Sequence, residues 1–355
     1  MDKKTIILLG FSILIFAVML YFVGIDNVIN ALKIANLNYV VLAILVQVAT
    51  YVLYSLRWQL LNKLVNMDVS LKELIPMVMV GLAVNNITPS GRGGGEPVRA
   101  YILAKEKDYQ AEETFATVIA DRALDTFPFI VLAAITITAM IFYFDVPSYL
   151  VFVMSIAVIA IVAVLIILIY MCINPNFGYR VENWILKVVR RFYKKNNDSV
   201  EAKIHDIIFG FQNTVKILIS NKKALAYTIP LSFVIWIFEI IRVYCVFLAF
   251  GANVDFVVIG EVFIVACLIG MIPALPGGIG AIDSAMIFFY SAAGISSSIS
   301  AAATVIERLI SFWMTTFIGM AILPYYGSSV LTKILPSSSS DDSEKSLEED
   351  LDNEK

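Results

Sequence analysis

Six apolar runs, at residues 5–23, 39–56, 115–144, 149–173, 224–250 and 304–326, are each long enough to cross about 30 Å of hydrocarbon. A chain with that many runs has to satisfy its backbone inside a bilayer, and helices do so within each segment. Composition points the same way: 59% of residues are hydrophobic and 15% are charged, against roughly 25% charged in a soluble domain. The expected class is an all-α polytopic membrane protein with about six full transmembrane helices. Residues 5–23, preceded by Lys3 and Lys4, are too long an apolar run for a usual signal segment and read as a retained first span.

Two further apolar stretches, 74–87 and 256–272, run into interruptions. The first is Asn85-Asn86-Ile87-Thr88-Pro89-Ser90-Gly91-Arg92-Gly93-Gly94-Gly95-Glu96-Pro97-Val98-Arg99. The second is Pro273-Ala274-Leu275-Pro276-Gly277-Gly278-Ile279-Gly280-Ala281-Ile282-Asp283. Each is followed by a short, partly apolar piece, 97–104 or 281–293, too short to cross by itself. Both pairs read as re-entrant hairpins that enter and leave on one side. Positive charge supports this, because it then collects on one face. The loop 174–223 holds ten Lys/Arg, including Arg190, Arg191, Lys194 and Lys195, against four acids. With both hairpins re-entrant, that loop, Arg57, Lys63, Lys72, Lys105, Lys107 and both termini lie in the cytoplasm.

An internal repeat follows at nearly the same shift as the two interruptions. Thr117-Val118-Ile119-Ala120-Asp121-Arg122 is matched by Thr304-Val305-Ile306-Glu307-Arg308, Pro89 by Pro276, and Leu56-Arg57 more loosely by Ile241-Arg242. The halves, about 39–145 and 224–326, would be inverted with respect to each other, the arrangement that permits alternating access. Residues 1–326 form the membrane domain on this reading, and 327–355 an acidic, polar tail expected to be disordered.

Ionisable residues at membrane depth are costly and face cavities or one another. Those expected here are Arg92, Glu96, Arg99, Asp121, Arg122, Asp125, Glu239, Arg242, Glu261, Asp283, Glu307 and Arg308. Neighbouring helix positions point about 100° apart, so Asp121 and Arg122 should each reach a different partner, such as a hairpin. Such pairs serve structure or transport, and the sequence leaves both open. Gly93, Gly94, Gly95, Gly277, Gly278 and Gly280 permit tight turns and close approach of a ligand to the backbone. Pro97 suits a first helical position, with Glu96 as cap. A half-helix starting there aims free N–H groups at the protein interior, an anion site flanked by Arg92 and Arg99. The second interruption offers Asp283 instead and suits a cation or a proton. Simple turns between short helices would explain the prolines without any ligand, but charges at corresponding places in both breaks favour a site.

Other chemistry is not indicated. Cys172, Cys245 and Cys267 lie in apolar runs without metal spacing, and His205 has no Cys or His neighbour. With one His there is no Ser-His or Cys-His pairing, so an enzyme is not expected, and neither is a cofactor or a metal. No nucleic-acid surface is present: the net charge is −3 and the basic loop is small. Segment 180–219, with Val181, Trp184, Ile185, Val188, Val189 and Phe192 among basic residues, suits an amphipathic helix on an anionic leaflet or a plain cytoplasmic hairpin.

Asn85, Thr88-Pro89-Ser90-Gly91-Arg92, Gly94-Gly95-Glu96-Pro97 and Arg99, then Asp121-Arg122 and Asp125, then Leu275-Pro276-Gly277-Gly278-Ile279-Gly280, resemble the flippase-like membrane family. This family is related to the membrane domain of lysylphosphatidylglycerol synthase/flippases, and the resemblance covers about residues 5–326. It implies a multi-pass cell-membrane protein that moves a lipid, or a lipid-borne head group, between leaflets. The chain carries no lysyltransferase or glycosyltransferase domain, so the synthases' lipid-lysylating activity does not transfer. The residues expected to bind substrate are Arg92, Gly94, Gly95, Glu96, Arg99, Asp121, Arg122, Asp125, Gly277, Gly278, Asp283, Glu307 and Arg308. The expected partners are membrane lipids with phosphate-containing head groups. Cytoplasmic enzyme partners and a homo-oligomer stay open, as does a role in lipid-linked sugar or aminoacyl-lipid synthesis, or as a membrane scaffold.

Overall fold

The computed structural model describes residues 25–88, 93–143, 148–174, 179–180, 183–184, 186–187, 198–270 and 278–326. The expected first span at 5–23, both prolines of the repeat, Arg92, Gly277 and the tail lie outside the described residues.

All described regular structure is helical. In chain order the helices are α1 (Ile25–Ile34), α2 (Leu37–Leu64), α3 (Leu71–Ile87), α4 (Gly95–Lys107), α5 (Ala111–Tyr143), α6 (Ser148–Ile173) and α7 (Asp198–Ser220). They continue with α8 (Lys222–Ala249), α9 (Phe256–Gly270), α10 (Ala281–Ala292), α11 (Ser297–Arg308) and α12 (Thr315–Ile322). A π-helical segment, Leu309–Met314, joins α11 to α12, and a short 3₁₀ turn, Leu323–Tyr326, follows.

Four of these are long and apolar enough to span a membrane: α2, α5 up to Ile141, α8, and the composite Ser297–Tyr326. The count of six expected from sequence is thus met in four places among the described residues. The 149–173 run forms the 26-residue α6, whose described apolar stretch, Val151–Ile167, is shorter.

Helices α2 and α8 have 28 residues each, about 42 Å at 1.5 Å per residue. Both open on an asparagine whose side chain caps the first turn: Asn36 accepts from the Asn38 amide, and Asn221 from the Ala224 amide. They pack on each other extensively and run antiparallel, because Arg57 of α2 reaches Ser232 of α8 while Arg242 of α8 reaches Gln47 of α2.

The interrupted segments form two helix pairs, α3 with α4 and α9 with α10, whose arms have 17, 13, 15 and 12 residues. At about 18–26 Å none of these arms covers the hydrocarbon thickness alone. Each first arm also leans on the other part of the chain, α3 on α12 and α9 on α5. Small residues allow this: a Cβ at Gly319 would sit 2.3 Å from the Met79 carbonyl oxygen, and one at Gly95 only 1.8 Å from that of Gly81.

Within segment 180–219, α7 is not a helix lying free on a leaflet. Phe211, Val215 and Leu218 are buried, Phe211 meets Phe115 at 6.2 Å, and Gly210 lets the helix approach Glu112 of α5. Val181, Ile185, Val188, Val189 and Phe192 lie outside the described residues, and Trp184 is exposed.

Candidate functional site

Where α2, α4 and α5 meet, polar side chains replace the apolar contacts of the surrounding core. Arg57, 1% exposed, donates through Nε to Asp121 at 2.6 Å and lies 3.2 Å from Asp125 through Nη1. Arg99 donates from Nη2 to the second Asp121 oxygen at 2.8 Å. Its guanidinium lies over the Trp58 ring at 4.9 Å, a cation–π contact, and the Trp58 indole N–H donates to Thr117. Asp121 is thus held by two arginines from two elements, neither of them its neighbour Arg122. Arg122 instead faces Glu96 at 3.8 Å and Asp125 at 3.5 Å.

The start of α4 supplies Glu96. The helix begins one or two residues earlier than Pro97 suggests, with Gly94 as cap, so Glu96 occupies the first turn and is not the cap. Pro97 is still tolerated, because the first four helical N–H groups have no partner within the helix. Asn85 ties the two arms together: its carbonyl oxygen accepts from the Gly95 amide at 2.6 Å, and its amide donates to Glu96 Oε1 at 3.1 Å.

A second network lies where α8, α10 and α11 meet. Arg242, also 1% exposed, contacts Glu307 at 2.7 Å through Nη2, and through Nη1 it donates to Glu239 and Gln47. Arg308 contacts Asp283 at 3.0 Å and lies over Phe312 at 4.4 Å. Asp283 also accepts from the Gly280 amide at 2.7 Å, fixing the start of α10. Gly280 has φ +81° and Gly278 φ +64°, the left-handed region that favours glycine.

The two networks correspond in position. Arg57 and Arg242 are 185 residues apart, and so are Gln47 and Ser232, their partners across the α2–α8 contact. Tyr51 and Trp236 share that spacing, and each crosses to a long helix: Tyr51 bonds Thr315 at 2.5 Å, and Trp236 donates to the Asp125 carbonyl at 3.0 Å. Asp121 and Glu307, like Arg122 and Arg308, are 186 apart, and Glu96 and Asp283 are 187 apart.

Between the networks is a cavity of about 130 Å³, and a second of about 50 Å³ adjoins it, with Tyr54, Leu82, Asn85, Arg122 and Asp125 common to both. Arg122, Arg242 and Arg308 line the larger with Asp125, Glu239 and Glu307. Arg57, Arg99 and Arg122 line the smaller with Glu96, Asp121 and Asp125. Among the described residues each wall is therefore balanced in formal charge, as burial in a medium of low dielectric requires.

Of the residues expected to bind substrate, Glu96, Arg99, Asp121, Arg122 and Asp125 are gathered in the first network, and Asp283, Glu307 and Arg308 in the second. Gly94 and Gly95 cap and open α4, Gly278 turns into α10, and Arg92 and Gly277 lie outside the described residues. Sequence reasoning left Gln47, Tyr51, Tyr54, Arg57, Ser232, Trp236, Glu239 and Arg242 out of the site. The common spacing of Gln47 with Ser232 and Arg57 with Arg242 was the signal available for them.

Residues 6–319 match the family described as the lysylphosphatidylglycerol synthase TM region. The chain belongs to this family. It is 47% identical over 335 residues to a UPF0104 membrane protein of Methanothermobacter thermautotrophicus, covering 94% of this chain and 99% of that one. It is also 33% identical to a UPF0104 membrane protein of Methanocaldococcus jannaschii, over 89% and 93% of the two chains. For one of Pyrococcus horikoshii the identity is 28%, over 90% and 96%. This member of the synthase TM-region family is accordingly a multi-pass helical membrane protein, and several of its arginines and carboxylates line a cavity between its helices.

Proposed function

We propose that the protein is a lipid translocase, in which a polar or anionic head group passes between two inverted halves while the chains stay in lipid. The observation that carries this reading is the cavity between two arginine–carboxylate networks that correspond in position and exchange contacts across α2 and α8. The halves are about 39–145 and 224–326, and the pairs α3–α4 and α9–α10 are re-entrant from opposite faces, with both termini in the cytoplasm. The phosphate of the head group sits near Arg92, Arg99 and the N-terminus of α4 at Gly94, Gly95 and Glu96, where the positive end of the helix dipole favours an anion. Arg122 and Arg308 assist. Asp121, Asp125, Asp283 and Glu307 balance the arginines, and Gly277 and Gly278 let the second pair bend around the guest.

Reconstitution in proteoliposomes tests the reading, with dithionite quenching of fluorescent lipids across anionic, aminoacylated and polyprenyl-phosphate classes. Accelerated loss of the inner-leaflet signal is expected for at least one class, and no acceleration for any of them overturns it. Cysteines at positions 94 and 278 should label from opposite aqueous sides. Labelling from one side removes the inverted arrangement and the mechanism with it.

A further inference from the structure

Glu96, which lines the smaller cavity, carries a polar atom without a partner among the described residues. Glu96, 6% exposed, uses Oε1 for Asn85 and Arg122, but its buried Oε2 has no hydrogen-bond partner among the described residues. A buried carboxylate oxygen without a donor is costly, at roughly 1–3 kcal/mol or more. Of the carboxylates that line the two cavities, Glu96 has the only such oxygen among the described residues.

The wall restricts what can supply the donor. Among the described residues its three arginines and three carboxylates already balance. An ammonium group would add a cation beside Arg57, Arg99 and Arg122, and it can only donate. A hydroxyl leaves the balance intact, gives its hydrogen to Glu96 Oε2, and accepts from a neighbouring guanidinium with its own oxygen. About 50 Å³ is several times the 10–15 Å³ or so that one water-sized group needs, so the lobe has room for the edge of a polyol. Resting on the translocase reading, the geometry points to a hydroxyl-rich head group, a sugar or a cyclic polyol, as the substrate class, with Glu96 as the residue that selects hydroxyl over ammonium.

The full chain in proteoliposomes decides this with three fluorescent probes: a glucosyl diacylglycerol, a phosphatidylinositol and a phosphatidylethanolamine. Binding is read by energy transfer from the tryptophans, two of which, Trp58 and Trp236, adjoin the networks, and movement by dithionite quenching. A charge-assisted hydrogen bond should favour the two hydroxyl-bearing lipids by about tenfold or more in affinity. Glu96→Gln should erase that preference. Equal binding of the three, or tighter binding of the ethanolamine lipid, overturns the inference and leaves translocation standing, as does failure of all three probes while an aminoacylated or polyprenyl-phosphate lipid is moved, whereas no movement of any lipid class overturns both. A Glu96→Gln protein that keeps the preference shows that water holds the oxygen, and again the inference falls. Should the variant fail to accumulate, the wild-type comparison decides alone.

Discussion

The two networks occupy corresponding places with different numbers of arginines around their carboxylates. In the first, one carboxylate, Asp121, is gripped by two arginines, Arg57 and Arg99. In the second, one arginine, Arg242, is shared by two carboxylates, Glu239 and Glu307. Arg57, like Arg242, also reaches two carboxylates, Asp121 and Asp125, but among the described ion pairs a further arginine backs each carboxylate only in the first network. Either arrangement keeps buried charge compensated, which is the physical requirement in a low-dielectric interior. The difference also separates robustness. Removing Arg57 leaves Asp121 with Arg99, whereas removing Arg242 strips the described ion pairs from both Glu239 and Glu307.

That contrast makes Arg242→Ala the most damaging change. Leaving the buried Glu307 and the partly buried Glu239 without their arginine should cost about 3–5 kcal/mol, and Arg57→Ala clearly less. Thermal melting of the purified variants in detergent checks the order, and equal losses would mean that Arg99 gives no cover. The helix pairs differ too. Gly95→Ala drives a methyl into the Gly81 carbonyl and should cost about 1–3 kcal/mol. Gly280→Ala meets open space and bears only its left-handed φ, about 1–2 kcal/mol. Melting temperatures of the pair read this, and an indifferent Gly95→Ala would contradict the close crossing of α3 and α4.

Smaller in stability is Arg122→Ala, whose side chain is 35% exposed, against 8% for Arg308. Its cost should be about 1 kcal/mol or less. Its effect on lipid movement in the quenching assay should nevertheless match that of Arg308→Ala, if both arginines serve one head group.

The smallest effect belongs to an ion pair outside the spans, with no counterpart in the second helix pair. The Lys107 ammonium, together with Ser70, holds the Glu73 carboxyl down at about 2, below its ordinary value of 4.5. A depressed folded value means that this contact stabilises fully above about pH 4.5 and is lost as pH falls toward 2. Hydrogen exchange at the first turn of α3 should rise over that window in wild type and be flat in Glu73→Gln.

Much of this molecule could be read along the chain. The spans of α2, α5 and α8 follow from apolar length, and the two helix pairs from Pro/Gly interruptions between short apolar arms. Asp121-Arg122 and Glu307-Arg308 stood out because charges in such runs are rare. That neither acid would bond its own neighbour followed from the 100° step of the helix. Which residues they do bond could not be read. Arg57 sits at the end of a plausible span, where a basic residue ordinarily meets the head-group region, and Arg242 showed only as a charge at membrane depth with no partner indicated. Glu239 and Gln47 lack any motif, and α7 looked like a surface helix because its buried residues, Phe211, Val215 and Leu218, become a contact face only when α5 lies beside them.

Sequence alone determined the solvent in which this chain folds, the helical form of its backbone and the places where helices break, because these depend on hydrocarbon thickness and on the local chemistry of proline and glycine. Tertiary structure alone decided the pairing of the charges. An arginine's side chain takes its partner from whatever a crossing helix brings within about 3–4 Å, and α2 crosses α8 so that Arg57 finds Ser232 and Arg242 finds Gln47.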